Sequence, residues 1–139
     1  MRIESFTLKD ELLKPLLQQY FYIGKNGDIA KITVEIVKLY FLSTDSKTQF
    51  KSGGKNEPDL TVTCKGVTKE YEIKGTEADN ISFNNLKISS NYCFQKLIDG
   101  MEIIRVTNIR KNRVQLYFMK YNEDFIMVPE PRWSVKKIK

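Results

Sequence analysis

The chain has 139 residues, with 41% hydrophobic and 29% charged residues, 23 Lys or Arg against 17 Asp or Glu, and no histidine. That length suits one domain with its own core, without disulfide staples or a structural metal, and the missing imidazole excludes Ser-His-Asp triads, Cys-His nucleophiles, HExxH zinc sites and histidine-metal nucleases. Catalysis is left to carboxylates, lysines or a hard cation held by oxygens, while the net charge of +6 suits an anionic partner, nucleic acid first, or simply solubility.

Nine basic against four acidic residues fall in 101–139, so the positive charge gathers toward the C-terminal end. No apolar run approaches the roughly 20 residues of a membrane span, and the opening MRIESFTLKDELL lacks the apolar core of a signal peptide. A cytoplasmic protein with no membrane partner is expected. Cys64 and Cys93 have no metal-ligand spacing and read as two reduced, buried thiols, with a disulfide as the alternative.

In chain order, residues 7–21 place Leu8, Leu12, Leu13, Leu16 and Leu17 at helical spacing behind a Thr7 cap, with Pro15 as a kink or late start. GKNGD at 24–28 ends that element. Residues 29–42 fit a helix through Ile29, Ile32, Ile36 and Tyr40, and a strand through Ile32, Val34 and Ile36; Asp28 as a cap and the length favour helix. A helical N-terminal part over about 1–42 follows. The polar stretch to Pro58 reads as loop, with a short strand near Phe50.

Residues 57–76, EPDLTVTCKGVTKEYEIKGT, read as a β-hairpin with one apolar and one polar face. A turn centred on Gly66-Val67 pairs Cys64 with Lys69, Val62 with Tyr71, Leu60 with Ile73 and Asp59 with Lys74. That register gathers the apolar residues on one face. Asp59 then stands opposite Lys74 and diagonal to Glu72, at roughly 5 Å and 7–8 Å between Cβ atoms. Two carboxylates so placed can share a divalent cation, with the Ile73 carbonyl as a further ligand and Lys74 orienting or deprotonating a water. The same three charges also fit a solvated hairpin face with an ion pair worth about 0–1 kcal/mol.

Beyond the hairpin, residues 88–100 read as a helix capped by Ser89 or Ser90 and stopped at Gly100, with an apolar stripe of Cys93, Phe94, Leu97 and Ile98. MEIIRVTNI and RVQLYFMKY read as two strands joined across Arg110, Lys111 and Asn112, so this helix and the C-terminal strands occupy 88–135. The expected fold is a single α/β domain over 1–139, with one mixed central β-sheet flanked by helices.

Pro58-Asp59, twelve intervening residues and Glu72-Ile73-Lys74 resemble the motif of the PD-(D/E)xK nuclease superfamily. From EIKGT through VQLYFMKY to FIMVPEP, about residues 57–135, the chain also resembles an uncharacterised nuclease-like family often fused to helicases and restriction proteins. The resemblance implies a restriction-endonuclease-like core with both motifs on adjacent central strands. It implies Mg²⁺, with Mn²⁺ as a substitute, on Asp59 and Glu72, and Lys74 positioning the attacking water. A further catalytic glutamate often comes from the helix before the first motif, where Glu35 is the candidate and Glu11 the alternative.

The glycines and lysines of KSGGK, Lys51, Gly53, Gly54 and Lys55, could bring backbone amides and charge to a phosphate, or form a flexible turn. Lys87, Gln95 and Lys96 are candidate backbone contacts or a solvated helix face. Tyr22-Ile23-Gly24 matches half of a GIY-YIG nuclease motif without its companions and reads as an aromatic helix end. The expected activity is metal-dependent endonucleolytic cleavage of DNA, in restriction, defence or mobile-element biology. A homodimer, structure-selective binding or a partner subunit would supply recognition. The alternatives are a non-cleaving nucleic-acid-binding module and a junction or repair nuclease.

Overall fold

A computed structural model describes residues 1–138. The chain runs β1 (Arg2–Thr7), α1 (Asp10–Gln19), α2 (Asn26–Thr44), β2 (Gln49–Ser52), β3 (Leu60–Cys64), β4 (Val67–Gly75), a 3-10 turn at Phe83–Asn85, α3 (Asn91–Ile98), β5 (Glu102–Thr107) and β6 (Arg113–Met119). The strands form one six-stranded sheet in the order β1-β6-β5-β4-β3-β2. Only β4 and β5 pair in parallel, joined by the crossover through α3, so the sheet is mixed and the fold α/β.

Each face of the sheet has its own core. Ile32, Ile36, Val37, Tyr40 and Phe41 of α2 and Leu13 of α1 bury against Leu60, Val62, Tyr71, Ile73, Ile104, Val106, Leu116 and Phe118. The spacing Ile32, Ile36, Tyr40 is the helical stripe that this requires. α2 approaches β4 so closely that a Cβ on Gly75 would fall 1.8 Å from Thr33 Oγ1, and only glycine fits there. On the opposite face Cys93 and Leu97 of α3 pack on Met101, Ile103 and Met119. No helix among the described residues is long and apolar enough to cross a membrane, and both cysteines are free thiols, Cys93 buried and Cys64 partly so.

The hairpin register differs from expectation. Cys64 pairs with Val67, Val62 with Lys69 and Leu60 with Tyr71, a slip of two residues from the sequence-based pairing. The cause is the turn: Lys65 and Gly66 both adopt positive φ, 51° and 76°, and close the hairpin in two residues. Because the slip is even, every side chain keeps its face.

The N-terminal part is not wholly helical, since residues 2–7 form an edge strand antiparallel to β6. Ile3 and Phe6 do not alternate with strand period, so the strand is specified by pairing with β6. Thr7 consequently ends β1, and α1 begins at Asp10 after Lys9, which makes no side-chain cap. Pro15 lies inside α1 without ending it. α2 begins at Asn26, earlier than expected, and Asp28 lies in its first turn, where its carboxylate accepts from Tyr22 N at 3.0 Å and does not cap the helix. Ser90 does cap α3, accepting from Cys93 N at 3.1 Å. Among the described residues after Met119 there is only an isolated bridge between Tyr121 and Phe125, so strand structure stops well short of residue 135.

Candidate active site

The ladder between β3 and β4 ends at Leu60 and Tyr71. One step further the chains separate, and Asp59 comes opposite Glu72; the expected pairing of Asp59 with Lys74 is replaced by this one. Asp59 Oδ2 accepts from Ile73 N at 2.9 Å, taking the place of a ladder carbonyl. The N–H and C=O of one extended residue point to the same side, so the Ile73 carbonyl also faces this opening. Pro58 is buried, and the loop after β2 closes on it: Gly53 N donates to the Asp59 carbonyl at 3.2 Å, and a Cβ on Gly53 would sit 1.7 Å from the Pro58 carbonyl oxygen. Gly53 therefore fixes the backbone that carries Asp59, a packing role that its place in a glycine pair did not suggest.

Glu72 is buried on the α3 face of the sheet, with Asp59 within hydrogen-bonding reach. Burial first, then the Asp59 carboxyl, pushes the Glu72 carboxyl up to about 7 from its ordinary 4.5, against smaller opposing effects of the Cys93 thiol and Lys74. Burial and the neighbouring Glu72 carboxylate likewise push the Cys93 thiol up, so it stays protonated. Lys74 Nζ stands 3.7 Å from Glu72 Oε2. An exposed carboxylate, a buried carboxylate and a partly exposed ammonium thus converge at the C-terminal end of β4.

Two like charges held together with one partly compensating cation are a pair that a hard divalent ion would relieve. The oxygens available to hold Mg²⁺ or Mn²⁺ here would be the carboxylates of Asp59 and Glu72 and the Ile73 carbonyl. Among the described residues no third His, Cys, Asp or Glu joins them in a set placed to hold one ion. Glu35 lies on α2, and its carboxylate meets Lys38 at 3.7 Å. Glu11 is exposed in the first turn of α1.

The expected phosphate contacts divide. Lys51 and Lys55 are exposed and have no carboxylate within ion-pair distance among the described residues, and Gly54 lies in open space. Lys87 is paired with Glu130, and Lys96 with Glu70 at 2.6 Å. Gln95 Nε2 donates to Asp99 at 3.2 Å.

Two residues that border the site were not assigned to it from the sequence. Cys93 abuts Glu72 from α3, a contact that no spacing signals. Arg105 pairs with Lys74 across β4 and β5. It is buried, and its guanidinium donates to the carbonyls of Gly75 at 3.0 Å, Ile81 at 2.8 Å and Ser82 at 3.4 Å. It thereby ties down the chain that leaves Lys74. Its one available signal is a lone charge inside the apolar run MEIIRVTNI.

The sequence matches no family model, and no curated protein and no solved structure matches the chain.

Proposed function

We propose that this protein is a metal-dependent DNA endonuclease of the PD-(D/E)xK type, hydrolysing phosphodiester bonds at Asp59, Glu72 and Lys74. The observation that carries this reading is the pressed pair of carboxylates, Asp59 against buried Glu72, with the Lys74 ammonium 3.7 Å from Glu72. A mixed sheet with Glu72-Ile73-Lys74 on β4 and Asp59 just ahead of the adjacent β3 supports the reading. A bound Mg²⁺ or Mn²⁺ would supply positive charge against the scissile phosphate and acidify the attacking water. Asp59 and Glu72 hold the cation site; the hydrogen bond from Ile73 N orients the Asp59 carboxylate, and burial fixes that of Glu72. Lys74 orients the water and supports charge at the phosphate. The net charge of +6 and the exposed Lys51 and Lys55 favour a polyanionic substrate. DNA is preferred over RNA from the resemblance alone.

The test is incubation of supercoiled plasmid and linear duplex with the protein in Mg²⁺ or Mn²⁺, with EDTA and Lys74→Ala as controls. Metal-dependent nicking or cutting that disappears in the variant is the expected result. Absence of cleavage on linear and branched DNA, even with Mn²⁺, would refute it in favour of a non-cleaving binding module.

A further inference from the structure

Between α1 and α2 the chain holds apolar side chains out in water by a dense set of polar contacts. Phe21, Tyr22 and Ile23 are 59%, 50% and 78% exposed. The Phe21 and Tyr22 rings lie 4.2 Å apart, and Lys25 Nζ stands 4.6 Å from the centre of the Tyr22 ring. The backbone beneath them is fixed from several directions. Arg110 donates to the Tyr20 carbonyl at 2.6 Å and the Tyr22 carbonyl at 3.0 Å. Its Nε donates to Glu77 Oε2 at 2.6 Å, and the same oxygen accepts from Gly24 N at 3.1 Å. Asp28 takes Tyr22 N. Isolated exposed apolar residues are ordinary, but three in succession on a braced loop present a surface that folding itself opposes.

Place and size decide what that surface takes. Glu77 follows Lys74 by three residues, at most roughly 10 Å along extended chain, and its carboxylate touches Gly24. The tip is therefore anchored just beyond the end of β4 that carries Lys74, on the side of the sheet where α1 and α2 pack. Three side chains are far too few for a stable protein interface, which covers about 800 Å² on each partner. They suffice for nucleic acid, where one or two rings stack on bases and an apolar side chain wedges between them. Lys25 adds a cation beside the Tyr22 ring.

We propose that Phe21, Tyr22 and Ile23 form a rigid tip that stacks on unpaired bases beside the Asp59, Glu72 and Lys74 site, making single-stranded or forked DNA the preferred substrate class. The inference rests on the nuclease reading for its substrate, and binding measured without cleavage separates the two. Fluorescence anisotropy in EDTA would compare labelled single-stranded, forked and blunt duplex oligonucleotides on the wild type, the double variant F21A/Y22A and Asp59→Asn. The wild type and Asp59→Asn should bind the single strand and the fork more tightly than the duplex. F21A/Y22A should lose about 5- to 100-fold on those two and little on the duplex. Both altered side chains of the tip are exposed, so that variant should melt as the wild type does. Arg110→Gln, which keeps the rings but loosens their brace, should give a smaller loss.

Equal affinities for wild type and F21A/Y22A on all three DNAs would overturn the tip. Tip-dependent binding without cleavage in Mg²⁺ or Mn²⁺ would support the tip and refute the nuclease, whereas no DNA binding by the wild type would overturn the tip and leave the nuclease to the cleavage assay. Co-sedimentation with anionic vesicles that is lost in F21A/Y22A, beside unchanged DNA affinity, would reassign the tip to a membrane surface and overturn the proposal.

Discussion

Replacing Glu72 with Gln should make the protein more stable at pH 8 while removing its activity. Burial and the Asp59 carboxyl raise Glu72 from its ordinary 4.5 to about 7, so the folded chain binds this proton more tightly than the unfolded one. Below pH 4.5 both states hold it. Between pH 4.5 and 7 only the folded state does, so stability falls as pH rises, and above 7 the full cost remains. The rise from 4.5 to about 7, at about 1.36 kcal/mol for each tenfold change in proton affinity, amounts to roughly 3 kcal/mol. Gln keeps the shape, carries no charge and can donate to Asp59. For a chain of this length each kcal/mol moves the melting temperature by about 3 °C, so E72Q should melt up to about 10 °C higher at pH 8 in EDTA and unchanged at pH 4. Thermal melts by circular dichroism at the two pH values measure both numbers. An unchanged melting temperature at pH 8, or an equal shift at both pH values, would refute the account of Glu72 as a buried, destabilised carboxylate. Mg²⁺ should also raise the melting temperature of the wild type at pH 8 by favouring the ionised pair, and should leave E72Q unmoved.

Asp59→Asn should still accept the Ile73 N–H but lose cation binding, so calorimetric titration with Mn²⁺ should be flat; a wild-type isotherm would remove Asp59 from the metal site. Lys74→Ala should abolish cleavage while leaving DNA affinity within about twofold, and strong residual cutting would deny Lys74 its assigned part. Gly75→Ala drives a Cβ to 1.8 Å from Thr33 Oγ1 and should cost about 2–3 kcal/mol in urea unfolding, partly recovered with Thr33→Ala. No loss would mean that α2 and β4 are less closely apposed than described. Arg105→Met leaves the carbonyls of Gly75, Ile81 and Ser82 without their donor and should cost roughly 2–3 kcal/mol. Hydrogen exchange should accelerate over residues 76–83, and unchanged protection there would show that Arg105 does not secure this segment.

The sequence by itself determined the elements that local chemistry specifies. The stripe of Ile32, Ile36 and Tyr40 made α2, the Ser89-Ser90 pair and Gly100 bounded α3, and alternation in LTVTC and EYEIK gave the hairpin its two faces. Because side-chain direction in a strand has period two, Asp59, Glu72 and Lys74 were placed together even though the register was wrong by two residues. Tertiary structure decided the rest. The left-handed conformation of Lys65 set the tight turn and brought Glu72, not Lys74, opposite Asp59. β1 exists because β6 offers it a ladder, since Ile3 and Phe6 carry no strand period. The perturbation of Glu72 needs its burial within the fold and Asp59 beside it, and the brace under Phe21 and Tyr22 joins Arg110 to Tyr20 across 90 residues of chain. Burial and long-range hydrogen bonds depend on which distant segments meet, and no local pattern encodes that meeting.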